Sequence, residues 1–231
     1  MSGVLTMKPV PWDKTGRAPE TDAPPAPVGR VINLQDGQRE PRAIAHVERE
    51  LPPGGIPEYL AARKNGARSF VLWADPDRRQ RLATLVTVSV ANGVGTYQVL
   101  GAQDEPIGTL VREKALSGKG LRTRWTVTQA GCPAAVGYKG RIFWWYVWWL
   151  LLPVQAVVAT LALLSGNGDV ARGPRRIVWR TGKEAPLEFR SDKDELHLRA
   201  PWCDWRLGAA LVALVPTFEG WLGHPWDDRK K

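Results

Sequence analysis

The side chains best suited to acid–base, nucleophilic or metal chemistry in this 231-residue chain are few and scattered. His46, His197 and His224 stand far apart, and none neighbours a cysteine, so no zinc-ligand spacing exists. His46 falls near the proline-rich start, His197 on an outward strand face beside Arg199, and His224 among C-terminal turn residues. Cys132 and Cys203 form no C-x-x-C pair and are too few for a disulfide framework; both read as buried thiols. Asp192, Asp194 and Glu195 form a turn cluster rather than a separated general acid and base. There is no phosphate-cradling G-x-x-x-x-G-K-[ST] run, "SGNGDVARG" (165–173) fails the dinucleotide spacing, and no G-x-S-x-G elbow occurs. The expectation is a non-enzymatic protein with no metal and no cofactor.

What remains is electrostatics. A formal net charge of +9 and a pI near 9.9 favour acidic partners, either anionic lipid or nucleic acid. Outward arginines recur on candidate strands: Arg122 and Arg124, Arg176 and Arg180, Arg190 and Arg199. Basic and aromatic residues alternate in "RTRWT" and "RIVWRT". Yet no ribonucleoprotein motif, glycine clamp or recognition helix accompanies them, which disfavours nucleic acid.

The segment that turns this charge toward lipid is "IFWWYVWWLLLPVQAVVATLALL", 142–164, which has no charged residue. As one helix it would reach about 34 Å at 1.5 Å per residue, enough for a hydrocarbon core of about 30 Å. Pro153 removes a backbone donor and disfavours helix at Leu152, marking a turn or kink between two halves. Trp144, Trp145, Tyr146, Trp148 and Trp149 suit the headgroup interface, and the second half is aliphatic. Phe143, Leu150 and Pro153 complete the expected membrane contacts. Lys139 and Arg141 precede the segment and Arg172, Arg175 and Arg176 follow it, all candidates for anionic headgroups. Basic flanks at both ends give no orientation asymmetry, as expected when both ends lie on one side. A re-entrant or interfacial hairpin is therefore expected. The alternatives are a single span separating two soluble parts, and an aromatic surface that binds a protein partner or fills a soluble core.

The elements that must carry these residues change along the chain. Ten of the 19 prolines fall in the first 60 residues, including "APETDAPPAPVG" and "ELPPGGIP". Residues 1–55 therefore read as a flexible proline-rich tail, with Pro24, Pro25 and Pro27 a possible ligand for a protein partner. The N-terminal residues hold no apolar stretch of signal-peptide length. "PEYLAARKNG" (57–66) reads as one short helix stopped by Asn65 and Gly66. From Ser69 onward, alternation with period two dominates. In "LRTRWTVTQ", Leu121, Thr123, Trp125 and Val127 share one face, opposite Arg122, Arg124, Thr126 and Thr128. Similar patterns at 96–100, 106–113, 176–180, 186–190 and 195–199, with turns between them, give an antiparallel meander of about nine strands. Near the C-terminus Asp204 can cap a helix that is apolar on every side, so Leu207, Leu211, Val212 and Leu214 require apolar neighbours all round.

"TYQVLGAQDEPIGTLVRE" (96–113), "LRTRWTVTQAG" (121–131) and "ELHLRAPWCDWRLGAALVAL" (195–214) resemble the tubby-like C-terminal fold shared by tubby proteins, phospholipid scramblases and LURP-one-related proteins. The resemblance implies a mainly β fold, an antiparallel closed barrel of about a dozen strands around a hydrophobic C-terminal helix. The barrel would occupy 56–231, with an inserted apolar helix or hairpin at 142–164. It also implies lipid binding or membrane scaffolding, with scramblase-like lipid movement as a further expectation. Anionic membrane lipids are the expected partner, with the protein membrane-associated and its soluble parts cytoplasmic.

Overall fold

The chain folds, in a computed structural model, around a twelve-stranded closed barrel; residues 3–10, 29–37, 40–115, 120–139, 176–218 and 225–228 are described. The strands are β1 (Gly3–Pro9), β2 (Arg30–Gln35), β3 (Arg42–Arg49), β4 (Phe70–Trp73), β5 (Arg81–Ala91) and β6 (Val94–Gly101). They continue with β7 (Pro106–Glu113), β8 (Arg124–Gln129), β9 (Ala135–Tyr138), β10 (Arg176–Thr181), β11 (Glu184–Arg190) and β12 (Glu195–Leu198). Each pairs antiparallel with its sequence neighbours, and β1 closes the sheet against β12. Helix α1 (Gly55–Lys64) joins β3 to β4 and ends at Asn65, while α2 (Trp205–Leu214) follows β12 and fills the lumen.

The mainly β closed barrel around a C-terminal helix agrees with the expected fold class, with twelve strands in place of about nine. Three of the added strands, β1, β2 and β3, lie within 1–55, so the reading of that whole stretch as a flexible tail does not hold. Each places only two strongly apolar side chains or small residues inward: Leu5 and Met7, Ile32 and Leu34, Ala45 and Val47. Short alternation of that kind carries little signal between proline-rich stretches. In a closed sheet it suffices, because neighbours on both sides satisfy the backbone. Pro24, Pro25 and Pro27 lie outside the described residues.

Helix α2 forms where expected. The Asp204 carboxylate accepts the Arg206 backbone N–H at 2.8 Å, and the Asp204 N–H donates to the Gln129 side chain at 2.8 Å. Leu207 through Leu214 are buried against the inward faces of the strands, with Trp125, Trp179, Tyr97, Phe70 and Phe189 the largest enclosed rings. Helix and wall approach so closely that glycine is required: a Cβ on Gly208 would stand 2.9 Å from Leu198 and 3.0 Å from Leu5. A void beside α2, bordered by Val127, Leu187 and Leu207, has room for about 10 Å³, one water at most. Among the described residues, the space around α2 is a packed core.

Strand direction defines two rims. Tyr138, Arg176, Arg190, Glu195, Arg124, Glu113 and Arg49 mark one; Gly3, Gln35, Arg81, Gly101, Gln129 and Leu198 mark the other. The chain leaves the barrel after Lys139 and rejoins it at Arg176, on adjacent antiparallel strands at the first rim. That rim is called the insert rim below. A single bilayer crossing within 142–164 would place β1–β9 and β10–β12 on opposite sides, and a closed barrel containing both sets is incompatible with it. The alternative of two separate soluble parts therefore does not fit this fold. The segment 142–164 itself, with its hairpin or transmembrane-helix readings, lies outside the described residues. No helix among those described is long and apolar enough to cross a membrane.

Candidate functional site: the insert rim

Among the described residues, the exposed apolar side chains collect at the insert rim. Leu51 lies between β3 and α1, Val88 and Val90 on the end of β5, Leu121 just before β8, and Tyr138 at the end of β9. Val88 and Leu121 are 59% and 57% exposed; at the opposite rim Trp202 is the sole large apolar side chain of this kind. The end of β5 projects because β4 begins at Phe70, opposite Leu85, while β5 and β6 run on to a tight turn at Asn92 and Gly93, both at positive φ.

Arginines accompany them, set against aromatic rings. The Arg122 guanidinium lies 4.7 Å from the centre of the Tyr138 ring. Beneath the rim, Arg68 and Arg112 lie 4.4 and 4.2 Å from the ring centre of Phe218, at the end of the 3-10 turn that continues α2. Arg49 lies 5.6 Å from the Tyr59 ring. A ring attracts a cation without cancelling its charge, although Arg68 is buried and ion-paired with Asp227. Burial depresses the Arg112 pKa, and its Nε has no hydrogen-bond partner.

Two carboxylates organise the remaining charge. Asp227 is wholly buried and accepts hydrogen bonds from Arg63 Nε at 2.8 Å and Nη2 at 3.1 Å, and from Tyr59 Oη at 3.3 Å. Arg68 Nε is 3.1 Å from the same carboxylate and donates to Thr217 Oγ1 at 3.0 Å. These contacts fasten the C-terminal turn to α1 under the rim. Burial raises the Tyr59 pKa and the Asp227 charge raises it further. Burial lowers that of Arg68, with Asp227 opposing.

Glu188 is the second, on the outer wall of β11. Arg176 Nε and Arg190 Nε reach its Oε1 at 2.7 and 2.8 Å, and Arg199 reaches Oε2. The three arginines leave no part of the glutamate accessible although each is itself about half exposed. Burial alone would raise the Glu188 pKa; hydrogen bonds from Arg190 and Arg176 and the nearby Arg199 charge outweigh it and hold it below the usual range. Arg190 also lies in the field of Asp192 and Glu195.

The expected site residues are thus distributed unevenly. Lys139 is on the insert rim, its N–H bonded to Thr123 O at 3.0 Å, and Arg176 is on the same rim as part of the Glu188 cluster. Arg141, Arg172, Arg175, Phe143, Trp144, Trp145, Tyr146, Trp148, Trp149, Leu150 and Pro153 lie outside the described residues, as does His224. Leu207, Leu211, Val212 and Leu214 are in the core and have no surface role. Arg124 pairs with Glu113 at 3.1 Å. Both thiols are unpaired, and burial together with nearby Cys132 pushes that of Cys203 up to about 11. No group of metal-ligating side chains occurs among the described residues.

Elsewhere, an open depression of about 450 Å³ lies toward the opposite rim across β12, β1 and β2. Its single arginine, Arg199, already serves Glu188, so no set of donors converges there. Compared with known proteins, the chain matches no family model, no curated protein and no solved structure. The functional reading therefore rests on the molecule itself.

Proposed function

We propose that this protein is a non-enzymatic, membrane-associated barrel that binds anionic lipid or scaffolds a membrane, with 142–164 as its anchor and the barrel on the cytoplasmic side. One observation carries the reading: the uncharged, tryptophan-rich segment is attached at both ends to one rim, where exposed apolar side chains and arginines also gather. Same-side attachment suits a hairpin or interfacial anchor, which leaves the barrel intact. Basic residues near an anionic surface contribute about 1 kcal/mol each.

Kinship with the tubby-like family is part of this proposal, supported by the architecture that the resemblance implies, twelve strands around a C-terminal helix. Scramblase-like lipid movement rests on the resemblance alone. The test is flotation of the full-length chain with phosphatidylcholine vesicles, with and without phosphatidylserine. The expected result is co-flotation that strengthens with phosphatidylserine and resists high salt and carbonate. A chain that stays with the soluble fraction in both cases overturns the proposal and favours a protein-interaction surface.

A further inference from the structure

The anchor is not the sole apolar feature of the insert rim, and the remainder belongs to the folded barrel. Tyr138 is paired with Arg124 at the end of β9, Val88 sits at the β5 bulge between Thr87 and Ser89, and Leu121 leads into β8. Leu121 and Tyr138 immediately flank Arg122, and Lys139 follows Tyr138 at the point where the chain leaves for the insert. In water such side chains gain nothing from exposure. Apolar tips interleaved with cations suit the boundary between lipid headgroups and acyl chains, where aromatic and aliphatic groups enter and basic groups stay at the phosphates. A protein partner would also cover apolar side chains, but the arginine stacked on Tyr138, and Lys139 beside the uncharged insert, favour an anionic lipid surface.

We infer that the insert rim of the barrel is itself a second membrane contact, in which Leu121, Tyr138 and Val88 enter the interface of an anionic bilayer and Arg122 and Lys139 meet its phosphates. This rests on the proposed membrane association and fixes the barrel's orientation: the barrel axis points at the bilayer, and the opposite rim, with Trp202, faces away. An anchor alone would leave the barrel free to tumble on its tether.

The experiment places an environment-sensitive nitrobenzoxadiazole label on the full-length chain at Leu121→Cys, in a Cys132→Ser/Cys203→Ala background, with Trp202→Cys labelled as the opposite-rim control. Phosphatidylserine-containing vesicles are added and flotation is measured on the same samples. The expected result is a blue shift and brightening of the label at 121 and no change at 202. Leu121→Ser/Tyr138→Ser, at exposed positions that leave the core untouched, should weaken vesicle binding by about tenfold. If the chain floats but the label at 121 reports water, or both labels respond alike, the second contact is wrong while the anchor stands. If the chain does not float, the anchor and the rim contact both fail.

Discussion

The two rims of the barrel treat arginine differently. At the opposite rim Arg79 pairs with Asp77, Arg81 with Asp104, and Arg206 with Asp204 and Glu105. The most exposed of them, Arg79 with Asp77 and Arg81 with Asp104, are worth little for stability. At the insert rim Arg124 pairs with Glu113 and Arg122 rests on the Tyr138 ring, and beneath it Arg49, Arg63, Arg68 and Arg112 gather about Tyr59, Phe218 and the buried Asp227. Ion pairs occur at both rims, and the insert rim differs in setting arginine on an aromatic ring next to exposed apolar side chains. The overall charge of +9 therefore says less about partners than its placement does.

Substitutions can break this contrast, beginning beneath the insert rim. Asp227→Asn leaves Arg63 and Arg68 without their buried counter-charge, so a loss of about 3–5 kcal/mol is expected in urea unfolding. A loss below about 1 kcal/mol would mean that Asp227 does not fasten the C-terminal turn. Glu188→Gln should cost less, about 1–3 kcal/mol, because the arginines around it are half exposed. Its pH dependence has a defined sign. The folded-state pKa lies below the ordinary value of 4.5, so the advantage of wild type over Glu188→Gln is complete above about pH 4.5 and fades as pH falls through the folded-state value. Parallel stability curves for the two proteins across that range would show that the cluster does not act through ionised Glu188.

Asp204→Ala, at the opposite rim, removes the cap of α2 and should cost about 1 kcal/mol with no effect on vesicle binding. The smallest effect sharpens the comparison most. Arg122→Gln loses its stacking on Tyr138, about 0.5–1 kcal/mol, and should weaken binding to phosphatidylserine vesicles by about fivefold at low salt. Arg81→Gln should leave that binding as it was. Equal effects of the two on flotation would erase the distinction between the rims.

Much of the fold was legible because it depends on local patterns. Alternation at Leu121, Thr123, Trp125 and Val127 marks a strand with one buried face, and the apolar run after Asp204 requires enclosure. Closure of the barrel was less so: β1, β2 and β3 each bring too few apolar residues to stand out among prolines, and their stability comes from partners distant in sequence. The sites divide similarly. Lys139 and Arg176 were recognisable as flanks of an uncharged segment. That Arg176, Arg190 and Arg199 converge on Glu188 depends on the register of β10, β11 and β12, which no single stretch encodes. Arg112 was closer to reach, since the alternation Gly108, Leu110, Arg112 already turns an arginine toward the inside. Asp227 gave no signal, because its partners on α1 and at Arg68 lie more than 150 residues away.

The central claim, a one-sided anchor on an intact barrel, is tested most directly by deleting 142–164 and comparing flotation of the shortened and full-length chains on phosphatidylserine vesicles. Because β9 and β10 are adjacent and antiparallel, the remaining residues can serve as a surface loop between them. The account predicts a folded, cooperatively unfolding barrel whose vesicle binding falls to the weak, salt-sensitive level that the rim alone provides. A deleted chain that floats as firmly as the full-length protein, or one that no longer folds, would contradict it.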